Sequence, residues 1–407
     1  MPLIFTVFLD LLGFAMFIPD LQLRGEHLVV STLSMDKANV WVGILVGVGQ
    51  SVYSIAQLAT GTYLGRLSDI KGRRVVLLVS AALSVLAYVL YAHADNLWLL
   101  WISRAMSGVA AANLGVAFAY VADVTTPQER GPKMGLLGAA FGVGFIIGPP
   151  LGAQLLKFGN DSPLLLGYFA AGLGLLNLIA IFKLVPESNT NPQPRQKESL
   201  IGQIRSALKV KELAIVLGMF FMMNLAFTNL ETTYFRLLGA PNWIFQIPEK
   251  DVKTVGSIVL LVVGVAGAIT QAGLANKVIP KLGELKTVRI FYTLFIPVFI
   301  SIPYFQQYWP GLIGTVLLAV TNGLSSPSMN SLVSNSAPME MQGTIMGLNQ
   351  SLGSLARVIG PVFANFLFQL KPSYPYLYGG LLACIPAIMA WVILKPPGVN
   401  SVKGHPE

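Results

Sequence analysis

The sequence predicts an all-α polytopic membrane protein whose spans form two similar halves, and its composition is the first reason. Hydrophobic residues make up 54% of the 407-residue chain and charged residues only 11%, whereas a typical soluble domain has about 25% charged residues. The mean hydropathy is +0.66, and the 40 glycines agree with the enrichment of glycine in transmembrane helices. The residues behind the net charge of +9 lie in separate segments, which favours loops facing anionic lipid over nucleic-acid binding.

Twelve stretches are long enough to cross a membrane as helices, since a span needs about 20 mostly apolar residues. They lie near 2–23, 39–64, 74–93, 97–124, 134–157, 164–186, 213–235, 252–276, 287–304, 309–333, 343–370 and 374–394. A polar stretch separates the sixth from the seventh. The predicted organisation is therefore a six-helix bundle over 1–186, a cytoplasmic linker over 187–212, a second six-helix bundle over 213–394 and a cytoplasmic tail over 395–407.

The distribution of Lys and Arg supports this number of spans. About 18 of these residues fall on one side of the predicted membrane and 7 on the other, which leaves Arg104 and Arg357 within spans. Short loops rich in Lys and Arg stay in the cytoplasm. The sequence therefore predicts a multi-pass protein of the cell membrane, in a bacterium the inner membrane, with both termini in the cytoplasm.

The two halves also repeat in sequence. Gly148-Pro149 in the fifth span and Gly360-Pro361 in the eleventh stand 212 positions apart, and the segments that begin at Gly131 and Gly343 keep the same offset. Parallel repeats of six spans, related by an axis along the membrane normal, are one of the known plans of secondary transporters. The fifth span is therefore predicted to correspond to the eleventh.

A short segment between the second and third spans has an unusual composition. Residues 65–74 read Gly-Arg-Leu-Ser-Asp-Ile-Lys-Gly-Arg-Arg, and the candidate gate residues within them are Gly65, Asp69, Gly72, Arg73 and Arg74. An ordinary cytoplasmic loop is the alternative, because such loops are basic in general. The pattern G-x-L-S-D-x-x-G-R-R resembles the loop between the second and third helices of the major facilitator superfamily. This resemblance implies the major facilitator fold, with twelve transmembrane helices in two pseudo-symmetric six-helix bundles.

The fifth span carries a second motif, formed by Gly144, Gly148, Pro149 and Gly152. Small residues at every fourth position let a neighbouring helix approach closely, and prolines kink a helix. Plain helix packing is one interpretation of this face. The pattern G-x-x-x-G-P-x-x-G also resembles the antiporter motif of drug-efflux facilitators.

Further segments resemble tetracycline-efflux proteins and their drug:proton antiporter relatives. In the first half these segments are 9–13, Pro19, 104–108 and 122–123. In the second half, the segment 230–232 is similar to multidrug exporters of the same group. The resemblance implies that Asp123 pairs with Arg73. It also implies that Asp69 lies near Gly343, at the N-terminus of the eleventh span, where the helix dipole favours an anion. These contacts would close the inner side while the outer side is open; the alternative for Asp123 is a simple helix-end charge.

Few ionisable residues lie deep within spans, where a charge that faces lipid costs several kcal/mol. They are Asp10, Arg104, Asp123, Glu231 and Arg357. Asp10 either takes a proton or holds the first span against a polar neighbour. Arg104 either pairs with Asp10 or Asp20 or extends its side chain outward.

Glu231 is the other candidate proton carrier, and Arg357 is expected to tune it. The two lie at similar depths, about 25 and 21 Å from the inner face at 1.5 Å per residue. A carboxylate near a helix end that merely reaches water is the alternative for Glu231.

The substrate cavity is expected between the halves near the midplane of the membrane. Its candidate lining residues are polar side chains within spans: Gln50, Tyr53, Gln57, Asn113, Asn224 and Asn322. Helix–helix hydrogen bonding is the alternative role for each of them. A single cysteine and three histidines far apart in sequence predict neither a metal site nor a cofactor.

The predicted function is export of amphipathic drugs or related small molecules in exchange for protons, by alternating access. One alternative is a facilitator for an endogenous metabolite or lipid, and a second is a non-transporting membrane sensor. No nucleophile–base constellation and no phosphate-binding loop is visible in the sequence, so an enzyme is not expected. The expected partners are the small-molecule substrate, protons and membrane lipid, with no nucleic acid, and the protein is expected to be a monomer.

Overall fold

The computed structural model describes residues 2–125, 127–189, 202, 210–240, 247–305, 308–336 and 342–394. The regular structure of this part of the chain is helical, without a strand. Eleven of its helical segments are long and apolar enough to cross a membrane, and the helix Pro127–Phe158 lies between the fourth and the sixth span. The predicted all-α polytopic fold is confirmed. Most of the predicted linker and the whole predicted tail lie outside the described residues, so the domain boundaries stay predictions.

The spans are numbered here in chain order. In the first half they are formed by the helices Pro2–Ala15 and Ile18–Leu33 (first), Val40–Lys71 (second), Arg73–Ala92 (third), Leu97–Ala111 and Leu114–Asp123 (fourth), Pro127–Phe158 (fifth) and Pro163–Leu184 (sixth). In the second half they are formed by Lys211–Leu238 (seventh), Glu249–Ile269 with Ala275–Leu282 (eighth), Glu284–Ser301 (ninth), Tyr308–Ser336 (tenth), Gln342–Leu370 (eleventh) and Tyr374–Val392 (twelfth).

Two spans extend further toward the predicted cytoplasmic end than their hydrophobic runs do. The second was predicted to end at residue 64 but continues to Lys71, so Gly65 and Asp69 lie on a helix and not in a loop. Its 32 residues are about 48 Å long, more than the roughly 30 Å of a bilayer core. Charged residues can therefore continue the helix outside the membrane. The chain turns at Gly72, whose φ of +97° lies in the region that favours glycine.

The eighth span also differs from its prediction. It was predicted to end at residue 276, but a five-residue π-helix, Thr270–Leu274, joins Glu249–Ile269 to a helix that continues to Leu282. The hydropathy falls after Ala275 because polar residues such as Asn276 and Lys277 follow. The hydrophobic run therefore ends before the helix does.

Equivalent spans in the two halves pack in equivalent ways. Gly148 of the fifth span is so close to the first that a methyl group on it would lie 2.5 Å from the Ala15 Cβ. Gly360 of the eleventh span is as close to the seventh span, since a methyl group on it would lie 2.5 Å from the Thr228 Cγ2. Gly360 follows Gly148 by 212 residues and Thr228 follows Ala15 by 213. The sequence repeat is therefore also a repeat of packing.

The contacts between the halves follow the same symmetry. Ser51 of the second span donates a hydrogen bond of 2.7 Å to the Val358 carbonyl of the eleventh. Gly264 of the eighth span lies against Ile146 of the fifth. Gly264 follows Ser51 by 213 residues, and Val358 follows Ile146 by 212. Two equivalent seams thus join the bundles, one formed by the second and eleventh spans and the other by the fifth and eighth.

Candidate functional site

Asp10 of the first span is held by two amides from other spans. The Asn113 Nδ2 donates to one carboxylate oxygen at 2.9 Å and the Asn177 Nδ2 to the other at 3.4 Å. Asn113 lies at the break of the fourth span, between the helices that end at Ala111 and begin at Leu114. The break places a side chain toward the first span, so Asn113 is a partner of Asp10 as well as a candidate cavity residue.

Arg104 lies beside two aromatic rings. Its guanidinium carbon is 4.8 Å from the centroid of the Tyr53 ring and 5.4 Å from that of Phe14, and the two rings are 4.7 Å apart. The residue is only 3% exposed. Neither expected arrangement of Arg104 is found, because the side chain is buried and makes no ion pair with Asp10 or Asp20 in the described structure.

Asp20 has other partners. Its carboxylate accepts from Arg24 at 3.2 Å and from the Tyr91 hydroxyl at 2.9 Å. Lys253 of the eighth span lies 3.6 Å from the other carboxylate oxygen. Asp20 was one of the alternative partners considered for Arg104, but Arg24 and Lys253 occupy this carboxylate instead.

Glu231 and Arg357 lie near each other on the seventh and eleventh spans without direct contact. The charge of Arg357 acts on the Glu231 carboxylate, but among the described residues no cation is within 4.0 Å of that carboxylate. A methyl group on Gly353 would lie 3.9 Å from both the Arg357 Nη2 and the Asn224 Oδ1. Glu231 and Arg357 are both partly buried. Arg357 therefore lies near Asn224 of the seventh span, and its charge acts on Glu231 of the same span.

The remaining cavity candidates differ in their contacts. Gln57 donates to the Ala111 carbonyl at 3.2 Å, and Asn224 donates to the Phe220 carbonyl of its own helix at 2.8 Å. Asn322 is partly buried. Gln50 joins the halves, since it donates to the Thr232 carbonyl at 3.4 Å and accepts from Asn365 at 3.1 Å. It belongs to the contact between the halves in this structure.

Arg73 is the centre of a polar cluster at the predicted cytoplasmic end, which we call the inner cluster: Asp69, Arg73 and Asp123. The guanidinium forms an ion pair with Asp69 at 2.5 Å and with Asp123 at 3.0 Å, and Arg73 and Asp69 are both buried. The expected pairing of Asp123 with Arg73 is present. The approach of Asp69 to the start of the eleventh span stays a prediction.

Glu187 organises the same region and was missed in the sequence. Its carboxylate accepts from the backbone N–H groups of Arg73 at 2.8 Å and Arg74 at 3.0 Å. These groups begin the third span, where a helix has unpaired donors that favour an anion. The next residues continue the contact, since Ser188 donates to Asp123 and Asn189 to the Asp69 carbonyl. The one sequence feature consistent with this role is that Glu187 directly follows the predicted sixth span.

The glycines of the fifth-span motif lie against the first span. A methyl group on Gly144 would lie 3.0 Å from the Leu11 Cβ, and one on Gly152 would overlap the Met16 carbonyl oxygen. Pro149 is buried in the same helix. The motif therefore forms a close helix–helix contact directly beyond Asp10.

A polar network links the halves at the predicted outer end, and Arg236 of the seventh span lies at its centre. We call Glu26, Arg236, Asn365 and Gln369 the outer clamp. Arg236 donates to Glu26 at 2.9 Å, to Asn365 at 2.8 Å and to Gln369 at 3.1 Å. Arg236 is 5% exposed, so this is a buried contact. The sequence indicated only an outer loop cation at this position.

Known proteins share both the sequence and the fold of this chain. The family model of the Major Facilitator Superfamily matches residues 3–361. The chain is 30% identical to the tetracycline resistance protein, class D, of Salmonella ordonez over 399 residues, which cover 96% of each chain. It is 29% identical to multidrug resistance protein 2 of Bacillus subtilis (strain 168), over 94% of this chain and 92% of that protein.

Two solved structures have the same fold. The human organic anion transporter MFSD10 (TETRAN) superposes with a TM-score of 0.74 at 23% identity, over 96% of this chain and 98% of that one. A D-xylose–proton symporter superposes with a TM-score of 0.72 at 16% identity, over 97% of both chains. The chain therefore belongs to the Major Facilitator Superfamily, as a multi-pass membrane transporter and not an enzyme.

Proposed function

We propose that this transporter exports amphipathic small molecules in exchange for protons, by alternating access. The observation that carries the proposal is the placement of one carboxylate on each half, Asp10 and Glu231, within spans and partly buried. An ionisable residue inside a span is costly and marks a pathway for substrate or protons. The curated relatives, which are named as tetracycline and multidrug resistance proteins, support export of drug-like compounds.

The surroundings of the two carboxylates suit proton binding and release. Asp10 has two amide donors and no cation in direct contact within the described structure, so a proton can neutralise it without breaking an ion pair. Glu231 has a cation nearby, Arg357, which stabilises the ionised form when the proton leaves. Competition between a proton and the substrate for Glu231 is the simplest scheme that couples their movements.

The contacts between the halves support alternating access. The outer clamp and the seam of the second and eleventh spans hold the predicted outer end together. The inner cluster is available at the opposite end to close it in the alternate state. Rocking about the two seams would then expose Asp10 and Glu231 to one side at a time. The excess of basic residues in the predicted cytoplasmic segments supports the proposed orientation, with both termini in the cytoplasm of a bacterial cell.

The experiment is coupled flux in vesicles that contain the purified protein. A pH gradient is imposed and the movement of fluorescent amphipathic compounds and tetracycline is followed. The Glu231→Gln variant should lose gradient-driven accumulation, because glutamine mimics the protonated acid. The matched control is Glu212→Gln in the exposed first turn of the same helix, which should transport normally. Proton-coupled accumulation by Glu231→Gln would assign the coupling to Asp10, and no coupled flux of any tested compound would contradict the proposal.

A further inference from the structure

Within the part of the chain that the structure describes, no residue accepts a hydrogen bond from the buried guanidinium of Arg104. An arginine carries five N–H donors, and at 3% exposure water cannot reach most of this side chain. Its Nε is fully enclosed and has no partner, and no described residue accepts a hydrogen bond from the rest of the group. A buried charged donor without an acceptor is costly. The two Nη atoms are not among the fully enclosed atoms, so they are the donors that an acceptor from outside the chain could reach.

Other buried or partly buried arginines of the described chain have oxygen acceptors that Arg104 lacks. Arg73 and Arg236 each donate to a carboxylate. Arg24 donates to Asp20 and to two backbone carbonyls, and Arg289 donates to the carbonyls of two residues near the end of the chain. The fold thus supplies oxygen acceptors to these arginines, whereas no described residue accepts a hydrogen bond from Arg104 or from the partly buried Arg357.

The surroundings of Arg104 indicate what kind of molecule fits. Phe14 and Tyr53 present ring faces beside the guanidinium, which suits an aromatic or otherwise apolar body. The charges of Arg104, Asp10 and Arg357 all act on the Tyr53 hydroxyl, so Arg104 of the first half and Arg357 of the second lie near the same boundary between the halves. The charge of Arg357 also acts on Glu231, so the proposed substrate cavity would bring Arg104 and Glu231 to the same molecule.

We propose that Arg104 binds an acidic group of the substrate. The substrate class is then an amphipathic compound with a carboxylate, sulfonate or phosphate beside an apolar body, and this inference rests on the proposed function. A planar guanidinium matches such groups with paired hydrogen bonds. An amine elsewhere on the same molecule would meet Glu231, where it competes with protons, so anion binding at Arg104 is compatible with proton exchange.

The test is equilibrium binding without any pH gradient, using two dansyl probes that differ by one carboxylate. Nε-dansyl-lysine carries the carboxylate and an amine, whereas monodansylcadaverine has the same amine and chain without it. The wild-type protein should bind dansyl-lysine roughly tenfold more tightly, as expected for one charge-assisted hydrogen-bonded contact. Arg104→Gln should remove this preference while it leaves the affinity for monodansylcadaverine nearly unchanged.

Two further variants make the result specific. Arg104→Lys keeps the charge but loses the paired geometry, so it should retain part of the preference. Arg289→Gln is the matched control, because the Arg289 guanidinium carbon also lies over an aromatic ring, 5.2 Å from the centroid of the Trp391 ring. This residue is predicted to lie near the cytoplasmic end, away from the proposed substrate cavity. It should keep the full preference.

The outcomes separate this inference from the proposed function. Equal binding of the two probes by the wild-type protein would overturn it, whether or not Arg104→Gln folds, and would mean that water satisfies the guanidinium. An unchanged preference in a folded Arg104→Gln variant would overturn it as well. Coupled flux without a carboxylate preference contradicts this inference alone, and a preference without coupled flux contradicts the proposed function alone.

Discussion

Arg236 of the seventh span donates to Glu26 of the first span at 2.9 Å, and this ion pair crosses the boundary between the two halves. The side chain of Arg236 is 3% exposed and that of Glu26 is 16% exposed. The pair is therefore shielded from the solvent that weakens surface ion pairs. It lies in the outer clamp, where it favours the state in which the predicted outer end is closed.

The first prediction concerns this pair. Arg236→Gln should shift the protein toward the outward-open state, because Glu26 loses its main cation and removal of one partner from a buried pair is strongly unfavourable. The readout is the rate at which an impermeant maleimide added outside labels Ser51→Cys in a Cys384→Ser background, since Ser51 is 1% exposed in the closed seam. A tenfold faster rate would correspond to about 1.4 kcal/mol. Arg289→Gln should leave the rate unchanged, and an unchanged rate in Arg236→Gln would show that the clamp does not hold this end closed.

The second prediction concerns the glycine face of the fifth span. Gly148→Leu should lower the stability by about 1–3 kcal/mol or more and block transport, because a bulky side chain would push the first span away. Thermal unfolding in detergent and the amount of folded protein in membranes measure the effect. The control is Gly172→Leu in the exposed face of the sixth span, where an added methyl group meets no neighbour within 4 Å. Normal stability and flux of Gly148→Leu would mean that this face can open.

The third prediction concerns the inner cluster. Asp69→Asn should slow turnover at least tenfold while substrate binding stays nearly unchanged, because the residue lies outside the cavity and affects only the closure of the inner end. Flux in vesicles and equilibrium binding of the same compound separate the two effects. Glu284→Gln, at the start of the ninth span, changes an acid of the corresponding turn in the second half and serves as the control. Wild-type turnover of Asp69→Asn would remove the inner cluster from the transport cycle.

The fourth prediction concerns Glu187. Glu187→Ala should cost about 1 kcal/mol, the usual value of a helix N-terminal cap, because the first N–H groups of the third span lose their acceptor. Glu187→Gln keeps an acceptor oxygen and should lose less. Thermal unfolding measures the stability, and turnover measures the coupling to the inner cluster. Equal stability of the alanine variant and the wild type would show that solvent replaces this carboxylate without cost.

The sequence predicted the architecture well where local patterns determine it. Apolar runs located the spans. The 212-residue repeat predicted that the fifth and eleventh spans are equivalent, and Gly148 and Gly360 do pack on equivalent neighbouring spans. The pairing of Asp123 with Arg73 followed from a family resemblance and is present in the structure. The roles of the proton-coupling and cavity residues stay predictions.

Contacts between distant segments could not be predicted in this way. Arg236 and Glu26 are 210 residues apart, and each reads as an ordinary charge near a helix end. Glu187 and Arg73 are 114 residues apart, and the carboxylate looks like part of a polar linker. A carboxylate partner was one of the alternatives for Arg104, but Asp20 has other partners in Arg24 and Lys253. Hydropathy and spacing carry no information on which charge meets which across a bundle.

The π-helix Thr270–Leu274 changes how mutations in the eighth span must be interpreted. A π turn spans i to i+5 and so holds about one residue more than an α turn. Side chains after Leu274 are therefore rotated relative to a helical wheel drawn from the start of this span. A cysteine or alanine scan analysed at 100° per residue would assign positions 275–282 to the wrong faces. Such a scan should be analysed with separate wheels for residues 249–269 and 275–282.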